Sequence, residues 1–542
     1  MRRNFRGMLV HWFALAAVAL SAAFMAADAQ RALPSWTRGA VCYEIFVRSF
    51  FDSDGDGIGD FNGLTQKLDY INDGNPATQR DLGARCVWLM PIMPSPSYHG
   101  YDATDYYRVN PQYGTNEDFK RFVAAAHRRG IRVLIDMVLN HASSEHPYFK
   151  EALLDPASPF RAWFRFAPAP QGQGPWGNVA WHKNPYRDEY YYGVFWHGMP
   201  DLNYAHPPVR DEAKKVATFW LREMGVDGFR LDAIPYLMEE GGRLAGTPGT
   251  HAFFREYGAH VRNVAPESYT VGEVWDSVGA MLPYYPDQLD SHFAFELSNA
   301  IVNAVRTGHA KDMLAGYLRL QAAFPAERWS PFLRNHDQTR TATEFRGNVA
   351  RQKLAASLLL TLPGLPFIYY GEEIGMTGDK PDPRLRTPMH WATGRAAGFT
   401  TGHPWEPLQP DSNTATVATQ DVDPGSLLNL FRRLIHLRAA TPALANGALI
   451  PVQTSDSTTA AFLRLDAQRP VLVVANLGDV PRADVWISGS ATGLVAGRYV
   501  AMDLLRGARG PALTISRSGS MARARLATLA PLEAYVYQLE RR

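Results

Sequence analysis

Apolar and polar positions along the chain follow two periods. Short runs rich in β-branched and aromatic residues, at 40–47, 85–91, 131–138, 226–232, 269–274, 292–296, 331–335 and 366–370, are separated by stretches of helical spacing such as 116–129 and 209–224. Strands alternating with helices predict a parallel sheet, and eight of them predict an α/β fold, the (β/α)8 TIM barrel. Residues 141–206 carry Pro, Gly and aromatics without a sustained helical period. That gap is too long for a simple crossover and predicts a subdomain inserted after strand 3. Beyond 447 the pattern changes to short β runs at 460–465, 471–475 and 534–539, separated by Gly, Pro, Asp and Ser. They predict a C-terminal antiparallel β-sandwich domain.

The N terminus differs from the rest. It has a basic start at Arg2, Arg3 and Arg6, an apolar run from Met8, and Ala27-Asp28-Ala29, a small-x-small pattern that suits signal cleavage. A secretory signal peptide over 1–29 is expected, and with it a secreted or periplasmic protein. The alternative is an uncleaved membrane anchor, because the apolar stretch approaches spanning length. The predicted organisation is then 1–29 signal peptide, 30–140 first part of the barrel, 141–206 inserted subdomain, 207–446 second part of the barrel and 447–542 C-terminal domain.

The chain has 542 residues, 46% hydrophobic and 20% charged, which supplies a large core and excludes a mainly disordered protein. Its 55 basic and 53 acidic residues give a formal charge of +2, which the N-terminal segment accounts for. A neutral chain has no global field to hold nucleic acid or an anionic membrane. The expected partner is small and uncharged, with no nucleic acid, no membrane after signal cleavage, and a monomer as the working assembly. Only Cys42 and Cys86 are present, with no zinc-like Cys/His cluster. They are either bridged or two buried thiols.

Active sites of such barrels sit at the strand ends. Four predicted strands end in polar residues: Asp136 to Asn140-His141, Arg230-Leu-Asp232, Gly272-Glu273 and Asn335-His336-Asp337. Arg230 and Asp232 are two apart, so the pleat turns both to one face, where the cation should hold the carboxylate ionised. Glu273 closes the next strand, and Asp337 comes from across the mouth. Paired carboxyls in opposite protonation states are the machinery of glycosidic cleavage.

These segments, in this order, resemble the signature regions of the α-amylase family of glycoside hydrolases, and Met199-Pro-Asp201-Leu-Asn203 resembles the family's extra signature. The resemblance runs from about Ala40 to the C terminus. It implies an α-glucan or maltooligosaccharide substrate, Asp232 as nucleophile, Glu273 as general acid/base and Asp337 as the acid holding the distorted sugar. By the same resemblance Arg230 orients the nucleophile, while Tyr101, His141 and His336 line the subsite of the cleaved sugar. A family member that had lost catalysis and become a binding or transporter-associated subunit would typically lack the acids; all three stand here.

Asp52-Ser-Asp54-Gly-Asp56-Gly-Ile58-Gly-Asp60 has the spacing of an oxygen cage for Ca2+, with a backbone carbonyl at Ile58 and Gly63 where an EF-hand has its last Glu. A structural calcium ion is expected there. A second site using Asn140 and Asp201, as in many amylases, is less well supported, because Pro235-Tyr236 replaces the Lys-His pair of that group. Aromatics crowd the insertion, at Trp163, Phe164, Trp176, Trp181, Tyr190, Tyr191, Tyr192 and Trp196. Two or three of them are expected to face sugar.

The signatures look intermediate between α-amylases and oligo-1,6-glucosidases. Exo-acting relatives carry Asp-x-Gly-Tyr, whose Asp grips the terminal sugar; here Tyr98 stands at that position before His99-Gly100-Tyr101. An open cleft for internal bonds is therefore expected. Leu231 to Leu237 resembles the trehalose-forming group and Arg386-Thr-Pro-Met389 the α-glucosidases, so those activities remain the alternatives.

Overall fold

The computed structural model describes residues 32–325 and 328–542, and the expected signal peptide over 1–29 lies outside the described residues. Eight parallel strands run in chain order around a barrel: Cys42–Ile45, Cys86–Leu89, Arg132–Met137, Gly228–Leu231, Tyr269–Gly272, Ser291–Phe293, Trp329–Ser330 and Phe367–Tyr369. The eighth pairs with the first, and the Phe367 N–H donates to the Pro331 carbonyl at 2.9 Å to join it to the seventh.

Both faces of each strand are buried, so the strands read as nearly continuous apolar runs. The pleat still sorts their side chains. Tyr43 and Ile45 pack outward against the helices, whereas Cys42, Trp88, Leu134, Tyr269 and Val271 fill the barrel with Phe293 and Phe367. Residues in phase with the inner set, Glu44, Asp136, Arg230, Asp232 and Glu273, continue that layer to the barrel mouth. Cys42 and Cys86 are register partners on adjacent strands and form a disulfide inside the barrel, which decides the alternative left open by the sequence.

Two strand positions differ from expectation. The seventh is Trp329–Ser330 and not 331–335, because Pro331 has no N–H to continue the ladder. The sixth ends at Phe293, and a helix, Phe295–Thr307, begins where the predicted strand was to finish.

The chain between the third and fourth strands forms a helix, Pro147–Leu154, and a three-stranded antiparallel sheet of Phe166–Ala167, Trp181–Lys183 and Tyr190–Tyr192. A bridge from His141 to Asp201 ties both ends of this insertion to the barrel mouth. Helix Pro207–Arg222 then resumes the barrel. At the C terminus nine antiparallel strands, from Leu449–Pro451 to Glu533–Arg541, form a sheet whose two outermost strands are neighbours in sequence. The sheet is therefore folded on itself around its own core, which includes Leu463, Leu472, Ile487 and Leu513.

Candidate active site

The mouth of the barrel opens into a cavity of about 700 Å3 lined by Asp232, Glu273 and Asp337, together with Tyr101, His141 and Arg386. Arg230, on the fourth strand, lies beneath it and is fully buried. Its Nη1 donates to Asp232 Oδ1 at 2.6 Å and to both oxygens of Asp136 at 2.9 Å. Its Nη2 pairs with Glu273 Oε1 at 2.8 Å. One guanidinium thus bridges the two acids expected to do the chemistry, and a third buried carboxyl backs it. The Ala233 N–H also donates to Glu273 Oε2, at 3.2 Å, from a residue in left-handed conformation with φ of 47°.

Burial pushes the Asp232 carboxyl up, and the attraction of Arg230 only partly offsets it because Glu273 and Asp337 add repulsion. The expectation that Arg230 would hold Asp232 low is corrected by this sharing: the same cation also serves Asp136 and Glu273. Burial likewise drives Asp136 up to about 7, against the pull of Arg230.

Asp337 is the opposite case. Burial would raise it, but His336 and then Arg386 overcome that and hold the carboxyl far below its usual range. Arg386 Nη2 lies 2.7 Å from Asp337 Oδ1, and His336 Nε2 lies 3.2 Å from Oδ2. His336 Nδ1 is 2.6 Å from Glu44 Oε1, and the ring sits between two carboxylates. Burial alone would lower the imidazole; Asp337 and Glu44 outweigh it and lift it to about 9. The Tyr101 hydroxyl stands 2.6 Å from His336 Nε2 and donates to Asp136 at 3.1 Å. His141, pushed down to about 4 by burial, is neutral, with Nε2 3.0 Å from the Tyr101 carbonyl.

All seven residues expected at the site meet here. Sequence reasoning missed Glu44 and Asp382, and noted Arg386 only as part of a signature without a site role; Asp382 and Arg386 both line the cavity. A lone acid inside an apolar strand was the available signal for Glu44. Trp176 and Trp196, from the insertion, and Trp275 form an exposed aromatic rim, while Phe164, Trp181, Tyr191 and Tyr192 are core. Tyr98 is not on the cavity wall: its ring stacks on Trp405 with centroids 5.3 Å apart.

The acidic loop follows the first barrel strand and contributes no residue to the cavity lining. Asp52, Asp54 and Asp60 bring carboxylate oxygens within 4.8 Å of one another. Asp52 accepts N–H groups of Asp54, Gly55 and Gly57, and Asp60 caps helix Phe61–Gln66. Asp56 is exposed and outside this convergence; its carboxyl is raised by partial burial and by repulsion from Asp54, Asp52 and Asp60. The donor set fits a hard divalent cation. At the insertion, Asn140 Oδ1 is buried without a partner among the described residues, and Asp201 is pushed up to about 7 by burial. An orphaned oxygen beside a buried carboxyl fits a cation there as well.

A parallel eight-stranded barrel with three acids converging at its mouth defines a class of carbohydrate-processing enzymes. Residues 44–447 match the family model "Alpha amylase, catalytic domain". Alpha-amylase 3 of Dictyoglomus thermophilum is 39% identical over 452 residues, covering 82% of this chain and 86% of the relative. The trehalose synthase/amylase TreS of Mycobacterium tuberculosis is 34% identical, with 85% of each chain covered. The crystal structure of an α-amylase from H. orenii superposes with a TM-score of 0.79 at 37% identity, covering 92% of this chain and 99% of that one. The chain belongs to the α-amylase family of glycoside hydrolases and transglycosylases.

Proposed function

We propose that the protein is an exported, retaining α-amylase that cleaves internal α-1,4-glucosidic bonds of starch, glycogen or maltooligosaccharides. The observation that carries this reading is the contrast among three acids in one cavity: Asp232 and Glu273 share Arg230, while Asp337 is held ionised by His336 and Arg386. One guanidinium touches both carboxyls, an arrangement that supports double displacement, for which separations of about 5–5.5 Å are typical.

Glu273 donates its proton to the glycosidic oxygen as Asp232 Oδ attacks the anomeric carbon, and the aglycone leaves. Glu273, now a carboxylate, takes a proton from water, which displaces Asp232 from the same face that the aglycone left. Ionised Asp337 accepts hydrogen bonds from ring hydroxyls as the sugar flattens, with Tyr101 and neutral His141 against the same ring. The Asp52, Asp54, Asp56, Ile58 and Asp60 loop would hold calcium away from the chemistry, where an ion neutralises clustered carboxylates and ties the loop down.

Tyr98 in place of a sugar-gripping Asp supports internal cleavage. Asp382 on the cavity wall supports the second reading, an α-glucosidase, oligo-1,6-glucosidase or trehalose-forming activity, because it supplies an acid that could grip a terminal sugar from another loop. Amylose digestion separates the two. Internal cutting makes iodine staining fall much faster than reducing ends accumulate; glucose alone from the first minutes, or trehalose formed from maltose, selects the second reading.

A further inference from the structure

At the end of the barrel opposite the catalytic mouth, where the strands begin, two fully buried arginines lie together. Arg438, on helix Leu427–Ala440, donates from Nη1 to the Leu360 and Leu362 carbonyls at 3.0 and 2.6 Å and from Nη2 to Gly364 at 2.6 Å. Arg464 ends strand Thr459–Arg464 of the C-terminal sheet. It donates from Nε to Gly447 and from Nη2 to Leu444, both at 3.0 Å, and from Nη1 to Thr361. A third arginine, Arg85, stands near enough to Arg438 to repel it.

These partners are all backbone carbonyls, which orient a guanidinium but carry no net charge. Among the described residues no carboxylate offsets any of the three cations. Burial and then Arg85 push Arg438 down to about 9, while burial and then Arg438 push Arg464 well below its ordinary value. Buried charge without a counter-charge is costly.

What stays unpaired here is donors. A guanidinium has five N–H groups, so Arg464 keeps one free on each terminal nitrogen. Arg438 Nε is buried without a partner among the described residues. So is the Trp329 indole N–H, and that ring reaches Gly364, its Cδ1 lying 3.0 Å from where a Cβ on the glycine would stand. Beside these groups is a cavity of about 30 Å3 lined by Thr37, Arg38, Gly364, Asn446 and Arg464, with Arg38 exposed at its rim. It has room for an ion or a few waters and not for a sugar ring.

We propose that this cavity is a structural site for a small inorganic anion of chloride size, held by Arg464, with Arg438 and Arg38 supplying further positive charge. A proton-free acceptor answers the free donors and the surplus charge together. A cation is repelled, and water answers only the donors. The ion would tie the segment before the first barrel strand, the turn into the eighth and the C-terminal sheet to one point.

The test exchanges the full-length chain from chloride into the bulky sulfonate buffer MES at matched ionic strength, then titrates in sodium chloride or bromide. The melting temperature should rise saturably by about 2–4 °C with either halide. Crystals soaked in bromide should show an anomalous peak in the cavity within hydrogen-bonding reach of an Arg464 terminal nitrogen. Arg464→Met keeps an aliphatic stem and should lose both the rise and the peak. If that variant does not fold, Arg38→Ala, at the exposed rim, should raise the halide concentration for half the rise by about threefold. Equal melting temperatures in halide and MES, or a bromide map with no peak in the cavity, overturn the proposal and make this a water site.

Discussion

Arg230 shows how much one residue decides at this site. Its two terminal nitrogens reach three carboxyls, so none of them receives a full counter-charge, and the buried acids Asp136 and Asp232 stay raised. His336 is the mirror case, one cation shared by Glu44 and Asp337 and lifted to about 9. Its pKa in the fold exceeds the ordinary value of about 6.5, so the stabilisation it contributes is fully present below that value and is lost as pH rises through about 9. The alkaline limb of kcat/KM should follow it. Glu44→Gln removes one of the two anions and should move that limb down by about one pH unit; a pH–rate profile with an unchanged limb would remove Glu44 from the account. Glu273→Gln should lower kcat on starch by roughly 10²- to 10⁴-fold. Aryl glucosides with acidic leaving groups should lose far less, since they need little protonation. The three acids that meet at the mouth were legible in the sequence because each closes an apolar run. Glu44 and Arg386 were not, because their meaning lies in partners 292 and 49 residues away.

At the scale of elements, the pleat connects sequence to site. A two-residue period turns Cys42 and Glu44 of one strand inward, the first to the disulfide and the second to His336. The eight strands were readable from apolar runs, but the seventh was misplaced because Phe332 and Leu333 read as strand residues, while Pro331 ends the ladder. The end of that strand at Pro331 depends on a missing N–H, which hydrophobicity does not register. The disulfide spans 44 residues. On a chain-entropy argument it contributes up to about 4 kcal/mol, so a Cys42→Ala, Cys86→Ala double variant should unfold at a distinctly lower denaturant midpoint with an unchanged active-site titration. The acidic loop yields an independent expectation. If calcium ties Asp52, Asp54 and Asp60 together, chelation should lower the melting temperature and added calcium restore it by mass action. An Asp54→Ala, Asp56→Ala variant should be insensitive to both; equal sensitivity in variant and parent would argue that the ion is elsewhere.

The whole molecule joins three units, two of which meet at the mouth. The barrel supplies the acids and the insertion supplies Trp176 and Trp196 to the rim, while the folded C-terminal sheet packs against barrel helices on the outside, Val349–Thr361 among them. This division was legible as changes of period along the chain, whereas the pairing of the C-terminal strands was not, since its order joins strands distant in sequence. The account's central claim is that Asp232 and Glu273 work as a retaining pair on an α-glucan. The most direct measurement is proton NMR of the first products released from maltotetraose or short amylose, before mutarotation mixes the anomers. Double displacement predicts that new reducing ends appear first as the α-anomer and drift to the equilibrium mixture; initial release of the β-anomer would contradict the account.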